Sequence, residues 1–418
     1  MWLRETSQLE EPADFSLVLG GPLYQLYLRT GLVKPPLDLY KRRIIGISLF
    51  AWLPLLPLAV IGGVAVGGVI VPFLLDLDVH ARFLGSLPLL IAAELIVHQR
   101  IRVVVRQFLE RDIIAPEDRP RFEGIIASAR RLRNSLVAEL LLIVLIFTGG
   151  HWIWKEYLAL SVPTWYAAPI DGQVQLTPAG YWYTFVSLPI FRFINFRWYF
   201  RLFIWYRFLW QVSRLPLRLN PLHPDRAGGL GFLAGSVFAF GPVLLAHTVL
   251  LAGLIAIRIW HEGAALPDFK LEIAGIMAFQ MLLVLTPLTF FFFHLAEAKR
   301  TGTRDYGIVA SRYVNDFRRK WIDATCADAA SVRAVPAEPA NAGSVGHAGS
   351  EALLGTADIQ SLADLSNSFE VVREMRVLPF GKQTVVNLAI LIALPLFPLT
   401  LTMIPFEEMI DRAVGVFF

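Results

Sequence analysis

The stretch LGFLAGSVFAFGPVLLAHTVLLAGLIAIR, residues 230–258, decides the fold class of this chain. His247 and Arg258 are the ionisable side chains within it. An α-helix needs about 20 consecutive, mostly apolar residues to cross the ~30 Å hydrocarbon core of a bilayer, and this stretch exceeds that length. The sequence therefore predicts a membrane-spanning helix here, because a helix satisfies its backbone hydrogen bonds internally.

Further apolar runs of similar length predict an all-α, polytopic transmembrane helix bundle with about seven spans. The first run is long and carries Pro54, Pro57 and Pro72 around a glycine cluster. We therefore expect a kink there, within either one span or a span followed by a re-entrant segment. The predicted spans are about 44–72, 82–105, 134–156, 181–210, 230–258, 271–296 and 383–404.

The composition agrees with a membrane protein, since 56% of the 418 residues are apolar and 17% are charged. A soluble chain of ordinary composition carries about 25% charged residues. The single cysteine, Cys326, excludes an intramolecular disulfide and a cysteine-based metal cluster, and no cofactor or metal is expected. Lys and Arg cluster beside the apolar runs, which indicates contact with the lipid bilayer rather than with nucleic acid.

The distribution of Lys and Arg between the loops predicts the orientation. Basic residues precede the first run and fill the loops after the second, fourth and sixth runs, whereas residues 75–80 and 157–180 contain none. Because cytoplasmic loops are enriched in positive charge, we expect the N-terminus inside and the C-terminus outside. The predicted location is the bacterial inner (cytoplasmic) membrane, with a small β-hairpin in the outer loop 157–180.

The predicted spans divide the chain into four parts. Residues 1–43 form a cytoplasmic or interfacial N-terminal segment, residues 44–297 contain six spans, and residues 383–418 contain the last span with a short outer tail. Residues 298–382 are predicted to be a cytoplasmic insert of two amphipathic helices with a flexible linker at 327–354. We interpret this insert as a coupling or assembly element, whose two helices pack on each other or on a neighbouring subunit.

Ionisable residues inside the predicted spans are the strongest functional candidates, because charge in a bilayer is costly. We expect an acid–arginine cluster in which Glu94 and Glu139 pair with Arg192 and Arg197. Three interpretations stay open: the cluster fixes helix packing, its arginines line an aqueous path or anion cavity, or the arginines extend to the lipid headgroups. The full predicted set is Glu94, His98, Glu139, Arg192, Arg197 and Arg201.

The loop NPLHPDRAGGLG, residues 220–231, carries the sharpest local motif. His223 is titratable, Asp225 can accept hydrogen bonds, and Arg226 can donate several of them. Gly228 and Gly229 add backbone flexibility. One interpretation is a helix cap in which the aspartate accepts from backbone amides. Another is a ligand- or anion-binding site built on free helix N–H groups. A chaperone J-domain also carries His-Pro-Asp, but it requires flanking soluble helices, and apolar spans flank this loop.

A His-Pro-Asp-x-x-Gly-Gly loop preceded by the arginine-bearing stretch RFINFRWYFRLFIWYRFLW, residues 192–210, resembles uncharacterised bacterial polytopic membrane proteins. That resemblance implies membrane placement and carries no activity. The plan of seven spans, with the sixth prolonged into a cytoplasmic helix, also resembles insect chemoreceptor channels in outline, without matching their motifs.

The enzyme signatures HExxH, GxSxG and GxxxxGKS/T are absent, which favours a function without catalysis. His80 with Asp76 and Asp78 is interpreted as a solvated turn rather than a metal site. The leading hypothesis is an oligomeric channel or transporter for a small ion or solute, with an Arg-lined path in the fourth span. The alternative is a non-transporting scaffold or sensory subunit acting through residues 298–382, and the third is a lipid-modifying membrane enzyme.

Overall fold

The computed structural model describes residues 15–31, 39–153, 164–170, 173–323 and 357–403. These residues are mostly helical, and five of their helices are long and apolar enough to cross a membrane. The predicted class, a helical protein of membrane type, is confirmed at this level. The five candidate spans are Tyr40–Ile61, Leu77–Glu110, Leu230–Glu262, Leu266–Asp323 and Lys382–Thr400.

The third and fourth predicted spans correspond to two other helices. The third contains a shorter apolar segment, described over Leu136–Thr148. The fourth is the helix Leu188–Val212, which is long enough but carries four arginines. An arginine at the centre of a span costs about 2.5–3.5 kcal/mol on insertion scales, so this helix needs partners for its charges.

The chain forms two compact units. The first, here called the bundle unit, comprises Met1–Leu217, Phe232–Phe290 and Phe380–Phe418. The second, here called the loop–helix unit, comprises Arg218–Gly231 and Phe291–Pro379. The described residues of the predicted insert 298–382 thus fall in the loop–helix unit, except for 380–382, and this unit also contains the whole 220–231 loop.

The helices are numbered in chain order. They are α1 Pro22–Arg29, α2 Tyr40–Trp52, α3 Leu55–Ile61, α4 Leu77–His80, α5 Leu87–Glu110, α6 Arg119–Arg133, α7 Leu136–Ile153, α8 Pro178–Trp182, α9 Leu188–Val212, α10 Ala234–Ala239, α11 Gly241–Glu262, α12 Lys270–Leu285, α13 Phe292–Phe317, α14 Ala357–Arg373, α15 Lys382–Ala393 and α16 Phe397–Thr400. Short 3-10 or π-helical turns extend several of these helices, and the turns at 81–86 and 183–187 join α4 to α5 and α8 to α9.

Helix α5 lies at the centre of the bundle unit, where it packs against α2, α9, α10 and α11. Its buried residues recur at three- and four-residue steps, as expected for one face of an α-helix. They include Leu87, Leu90, Ile91, Glu94, Val97, His98 and Ile101. Helix α7, in contrast, exposes much of its apolar surface, since its residues Leu136, Val137 and Leu141 are all more than half exposed. A contiguous exposed apolar surface of this kind is what a bilayer covers.

The predicted first span, 44–72, is too long. Helices α2 and α3 end at Ile61 with a break at Leu53–Pro54, and residues 62–72 are not helical. Proline lacks a backbone N–H, and Gly63 and Gly68 adopt φ angles of 67° and 80°, which end the helical path. The carbonyls of Val64 and Ala65 accept hydrogen bonds from the backbone N–H groups of Phe73 and Leu74, which closes the segment as a loop.

A two-stranded antiparallel hairpin occupies part of the predicted loop 157–180. Strand β1, Ala167–Ile170, pairs with β2, Gln173–Leu176, and the connecting residues 171–172 lie outside the described residues. Just before β1, the indole Nε1 of Trp165 donates to the Asp76 carboxylate at 2.8 Å. Asp76 also caps α4, and it is only 4% exposed. The interpretation of this aspartate as part of a solvated turn is therefore wrong.

In the loop–helix unit, α13 and α14 pack against each other. The Tyr313 hydroxyl donates to the Asp358 carbonyl at 2.9 Å, and the Asp358 carboxylate accepts from Lys320 Nζ at 2.7 Å and Trp321 Nε1 at 3.1 Å. Gly307 faces Phe369, which fixes the middle of the pair. The two amphipathic faces thus contact each other, and the predicted linker 327–354 lies outside the described residues.

Candidate functional site

A buried cluster of charges in the bundle unit, here called the Glu94 cluster, contains Glu94, Glu139, Arg43, Arg197 and Arg201. One Glu94 oxygen, Oε1, lies 2.7 Å from Arg201 Nη2 and 3.5 Å from Arg197 Nη1. Its other oxygen, Oε2, lies 2.9 Å from Arg43 Nη2. Arg197 then bridges to the second acid, since its Nε lies 3.3 Å from Glu139 Oε1.

The periodicity of the α-helix determines where these side chains lie. Arg197 and Arg201 are four residues apart on α9, so both project from one face toward Glu94 on the buried face of α5. Glu139 lies in the first turn of α7, where the helix dipole favours a negative charge. Its Oε2 accepts a hydrogen bond from the Leu23 backbone N–H at 3.1 Å, which ties the start of α1 to the cluster.

Because the charged side chains of the cluster are buried, each of them requires an oppositely charged partner. The side chains of Arg43, Arg201 and Glu94 are 0%, 4% and 9% exposed, so water supplies little solvation for their charges. Three guanidinium groups face two carboxylates, which leaves the cluster with a net positive charge. Aromatic faces offset part of that surplus, because Arg43 lies over the Tyr27 ring at 5.3 Å and Arg201 over Trp198 at 4.6 Å.

The predicted residue His98 lies one turn beyond Glu94 on α5, and it contacts the N-terminal segment. Its Nδ1 is 2.8 Å from Ser16 Oγ, and Arg133 Nη1 donates to the Ser16 carbonyl at 2.6 Å. Phe15 stacks on Phe208 with ring centroids 5.0 Å apart, and it is 1% exposed. Phe15 and Ser16, within the segment predicted as cytoplasmic or interfacial, are therefore part of the packed core.

The predicted partner Arg192 does not join the cluster. It is half-buried on α9, and its electrostatic neighbours are Tyr183 and Arg82. Five residues separate it from Arg197, which is about 7.5 Å along the helix and a different face. Arg43 takes the place that the sequence assigned to Arg192, and nothing in the sequence distinguishes Arg43 from the basic residues flanking a span.

The glycine loop of the loop–helix unit is closed by its own aspartate. Asp225 Oδ1 accepts from the backbone N–H of Ala227 at 2.8 Å and of Gly229 at 3.1 Å, and Oδ2 accepts from Gly231 at 2.8 Å. Gly228 and Gly229 adopt φ angles of 62° and 98°, which favour glycine. These N–H groups are the donors an external anion would need, so this geometry is that of a cap.

The same loop is fastened to the residues around the end of α14. Arg226 Nη1 lies 2.7 Å from Glu374 Oε2, and the Arg226 carbonyl accepts from the Arg376 backbone N–H at 2.7 Å. Arg376 Nη2 donates to the Asp225 carbonyl at 2.8 Å. His223 Nδ1 lies 2.9 Å from Asp225 Oδ1 and accepts a hydrogen bond from the Asp225 backbone N–H at 3.2 Å. The loop and this segment form one hydrogen-bonded assembly.

The backbone donors determine the acidity of Asp225. Burial alone would raise the pKa of this carboxyl, but the N–H groups of Ala227, Gly231 and Gly229, together with His223, outweigh burial and lower the pKa below its ordinary value. Asp225 therefore stays ionised at neutral pH and holds the loop through charge-assisted hydrogen bonds.

The described residues contain no group of three or more His, Cys, Asp or Glu side chains that could hold a metal ion. Comparison with known proteins gives no match, since no family model, curated protein or solved structure matches this chain significantly. Chemically, the Glu94 cluster can hold helices together by charge, and the 220–231 loop can hold the end of α14.

We predict that Glu94→Gln destabilises the protein by about 3–5 kcal/mol, because it leaves buried arginines without a counter-charge. The matched control is Glu262→Gln, whose partner Arg258 is 48% exposed and whose own side chain is 58% exposed. That exposed pair contributes about 0–1 kcal/mol. Unfolding of the detergent-solubilised protein measures both effects, and equal losses in the two variants would contradict the role given to Glu94.

We predict that Asp225→Asn destabilises the loop–helix unit by about 1–3 kcal/mol at pH 7, since an amide accepts fewer of the three N–H groups. Because the pKa of Asp225 is lower in the folded than in the unfolded protein, the ionised carboxylate stabilises the folded state. This stabilisation is fully present above the unfolded-state pKa of about 3.9, and it is lost as the pH falls toward the folded-state pKa. The difference between wild type and variant in thermal unfolding should therefore shrink below pH 4. Asp305→Asn, an exposed control in the same unit, should show no such trend, and a pH-independent Asp225 effect would refute the prediction.

Proposed function

We propose that this chain is a multi-pass protein of the bacterial inner membrane that acts as a non-transporting scaffold or sensory subunit. The proposed topology has seven spans, with the N-terminus inside and the C-terminus outside. One observation carries the proposal: Arg197, which together with Arg192 is expected to line a path through the fourth span, is buried in ion pairs with Glu94 and Glu139, and Arg201 beside it is buried against Glu94.

A transport path through α9 conflicts with the energetics of these pairs. Arg197 and Arg201 are 7% and 4% exposed, so an ion binding to them would have to displace a buried carboxylate. Removing one partner from such a pair costs about 3–5 kcal/mol. A role in holding α2, α5, α7 and α9 in register needs no such displacement.

The pairing also supports counting α9 as a span. Arg197 and Arg201 reach carboxylates on α5 and α7, and Arg201 also lies over the Trp198 ring of α9 itself, which lowers the cost of charge at bilayer depth. Helix α7 is counted as a span for a different reason, because its apolar residues are exposed on the protein surface. Adding these two helices to the five candidate spans gives the odd number that the loop charges require.

The loop–helix unit offers the surface through which such a subunit would act. Arg304, Ile308 and Arg312 recur at four-residue steps along α13, on the face turned away from α14, and Ile322 lies in the π-helical turn that follows. Ile308 and Ile322 are 47% and 50% exposed. Exposed isoleucines among arginines fit a protein partner that presents apolar and acidic side chains.

The test combines crosslinking with flux. Photo-crosslinking residues at Ile308 and at Ile322 should capture the same partner in cells, and Ile322→Asp should weaken the capture from position 308 at least tenfold. A crosslinker at Glu262, exposed in the bundle unit, is the matched control. Purified protein in liposomes should pass ions no faster than empty liposomes. Flux that is abolished by Arg197→Gln in a folded variant would overturn the proposal.

A second candidate, anion passage, rests on one observation. The Nε and Nη1 atoms of Arg43 are buried, and within the described ranges they have no hydrogen-bond partner. Together with the positive surplus of the Glu94 cluster, this would attract an anion. The liposome assay separates the two candidates, because anion passage requires flux that falls in Arg43→Gln.

A further inference from the structure

A second basic site lies in the bundle unit, where α6, α7 and α9 meet. A cavity of about 440 Å³ occurs there, here called the α6–α9 cavity. Helix α6 and Ser135, which directly precedes α7, contribute most of its wall, and α9 contributes the rest. The lining residues are Ser128, Arg131, Leu132, Ser135, Phe203 and Arg207.

The polar groups of the α6–α9 cavity suit a phosphate. Arg131 and Arg207 bring two guanidinium groups from two different helices, Ser128 and Ser135 bring hydroxyls, and none of the described residues that line the cavity is acidic. Arg207 is held in place, because its Nη1 donates to Ser128 Oγ at 2.9 Å. Guanidinium forks match phosphate oxygens in geometry and charge, and hydroxyls add donors.

Arg131 is available for such a ligand. It is exposed on the last turns of α6, and within the described part of the chain it forms no ion pair or hydrogen bond. Ser135 caps the start of α7 by accepting from the Ala138 N–H at 3.3 Å, which places the positive end of that helix beside the cavity. Charge and position therefore favour an anion at this point.

An exposed apolar surface continues from the cavity. Helix α7 begins directly after Ser135 with Leu136 and Val137, which are 58% and 66% exposed, and Leu140 and Leu141 follow on it. On the α9 side, Phe203 is 56% exposed. Basic side chains therefore meet an apolar helix at one point, as they do where a protein crosses from the headgroups into the hydrocarbon.

We propose that the α6–α9 cavity binds the phosphate-bearing headgroup of an anionic phospholipid of the inner leaflet. Arg131, Arg207 and the two serine hydroxyls hold the phosphate, and the acyl chains lie along α7 and Phe203. A free phosphate compound would satisfy the same polar groups but would leave the apolar surface uncovered. This site is separate from the partner surface on α13.

Native mass spectrometry of the full-length protein with added lipid tests this site. Phosphatidylglycerol should stay bound to the wild type, and each of Arg131→Gln and Arg207→Gln should weaken its binding roughly tenfold or more, as expected for loss of a charged hydrogen bond. Arg121→Gln is the matched control on α6, because Arg121 is 72% exposed and lies outside the cavity lining. It should change binding less than twofold.

Two further probes decide the source of the phosphate. Phosphatidylcholine should bind at least tenfold more weakly than phosphatidylglycerol, and soluble glycerol phosphate should not compete at millimolar concentration. Equal binding of the two lipids, or competition by glycerol phosphate, would overturn the lipid assignment. Since Arg131 is exposed, its variant should fold normally, and unchanged phosphatidylglycerol binding in a folded Arg131→Gln would overturn the site itself.

Discussion

The ion pairing of the Glu94 carboxylate is the interaction on which the bundle unit depends. This one buried group meets guanidinium groups from α2 and α9, and Arg197 extends the linkage to Glu139 on α7 and from there to the start of α1. Each charge is tolerable only because the others are present, since an isolated buried ion costs several kcal/mol. The cluster thereby fixes the register of α2, α5, α7 and α9.

The two motifs that first attract a functional interpretation are both satisfied by the chain itself. Glu94 pairs with Arg197 and Arg201 of α9, and Asp225 accepts from the N–H groups of its glycine loop. Exposed groups that can contact other molecules lie elsewhere, at Arg131 in the α6–α9 cavity and on the outward face of α13. The balance of satisfied and open groups favours contact with lipid and protein over passage of a solute.

The sequence predicts the helical membrane character because long apolar runs indicate it directly. Since an α-helix rises by about 1.5 Å per residue, positions within the predicted spans also place Glu94, Glu139 and Arg197 at a similar depth in the membrane. Position along a helix does not specify direction around it, so the sequence places Arg192 in the cluster and gives no reason to include Arg43. The cap at Asp225 follows from local glycine chemistry. Its fastening by Glu374 and Arg376 depends on chain folding between distant positions, which no local pattern encodes.

A double-mutant cycle on Glu94→Gln and Arg201→Gln measures the central interaction most directly, because their atoms lie 2.7 Å apart and both side chains are buried. Unfolding free energies of the wild type, the two single variants and the double variant give the coupling. Groups in one buried ion-pair network couple by about 0.5–3 kcal/mol, and we expect a value in the upper half of that range. Effects that add within about 0.5 kcal/mol would show that the two charges do not meet, and would contradict a bundle held together at Glu94.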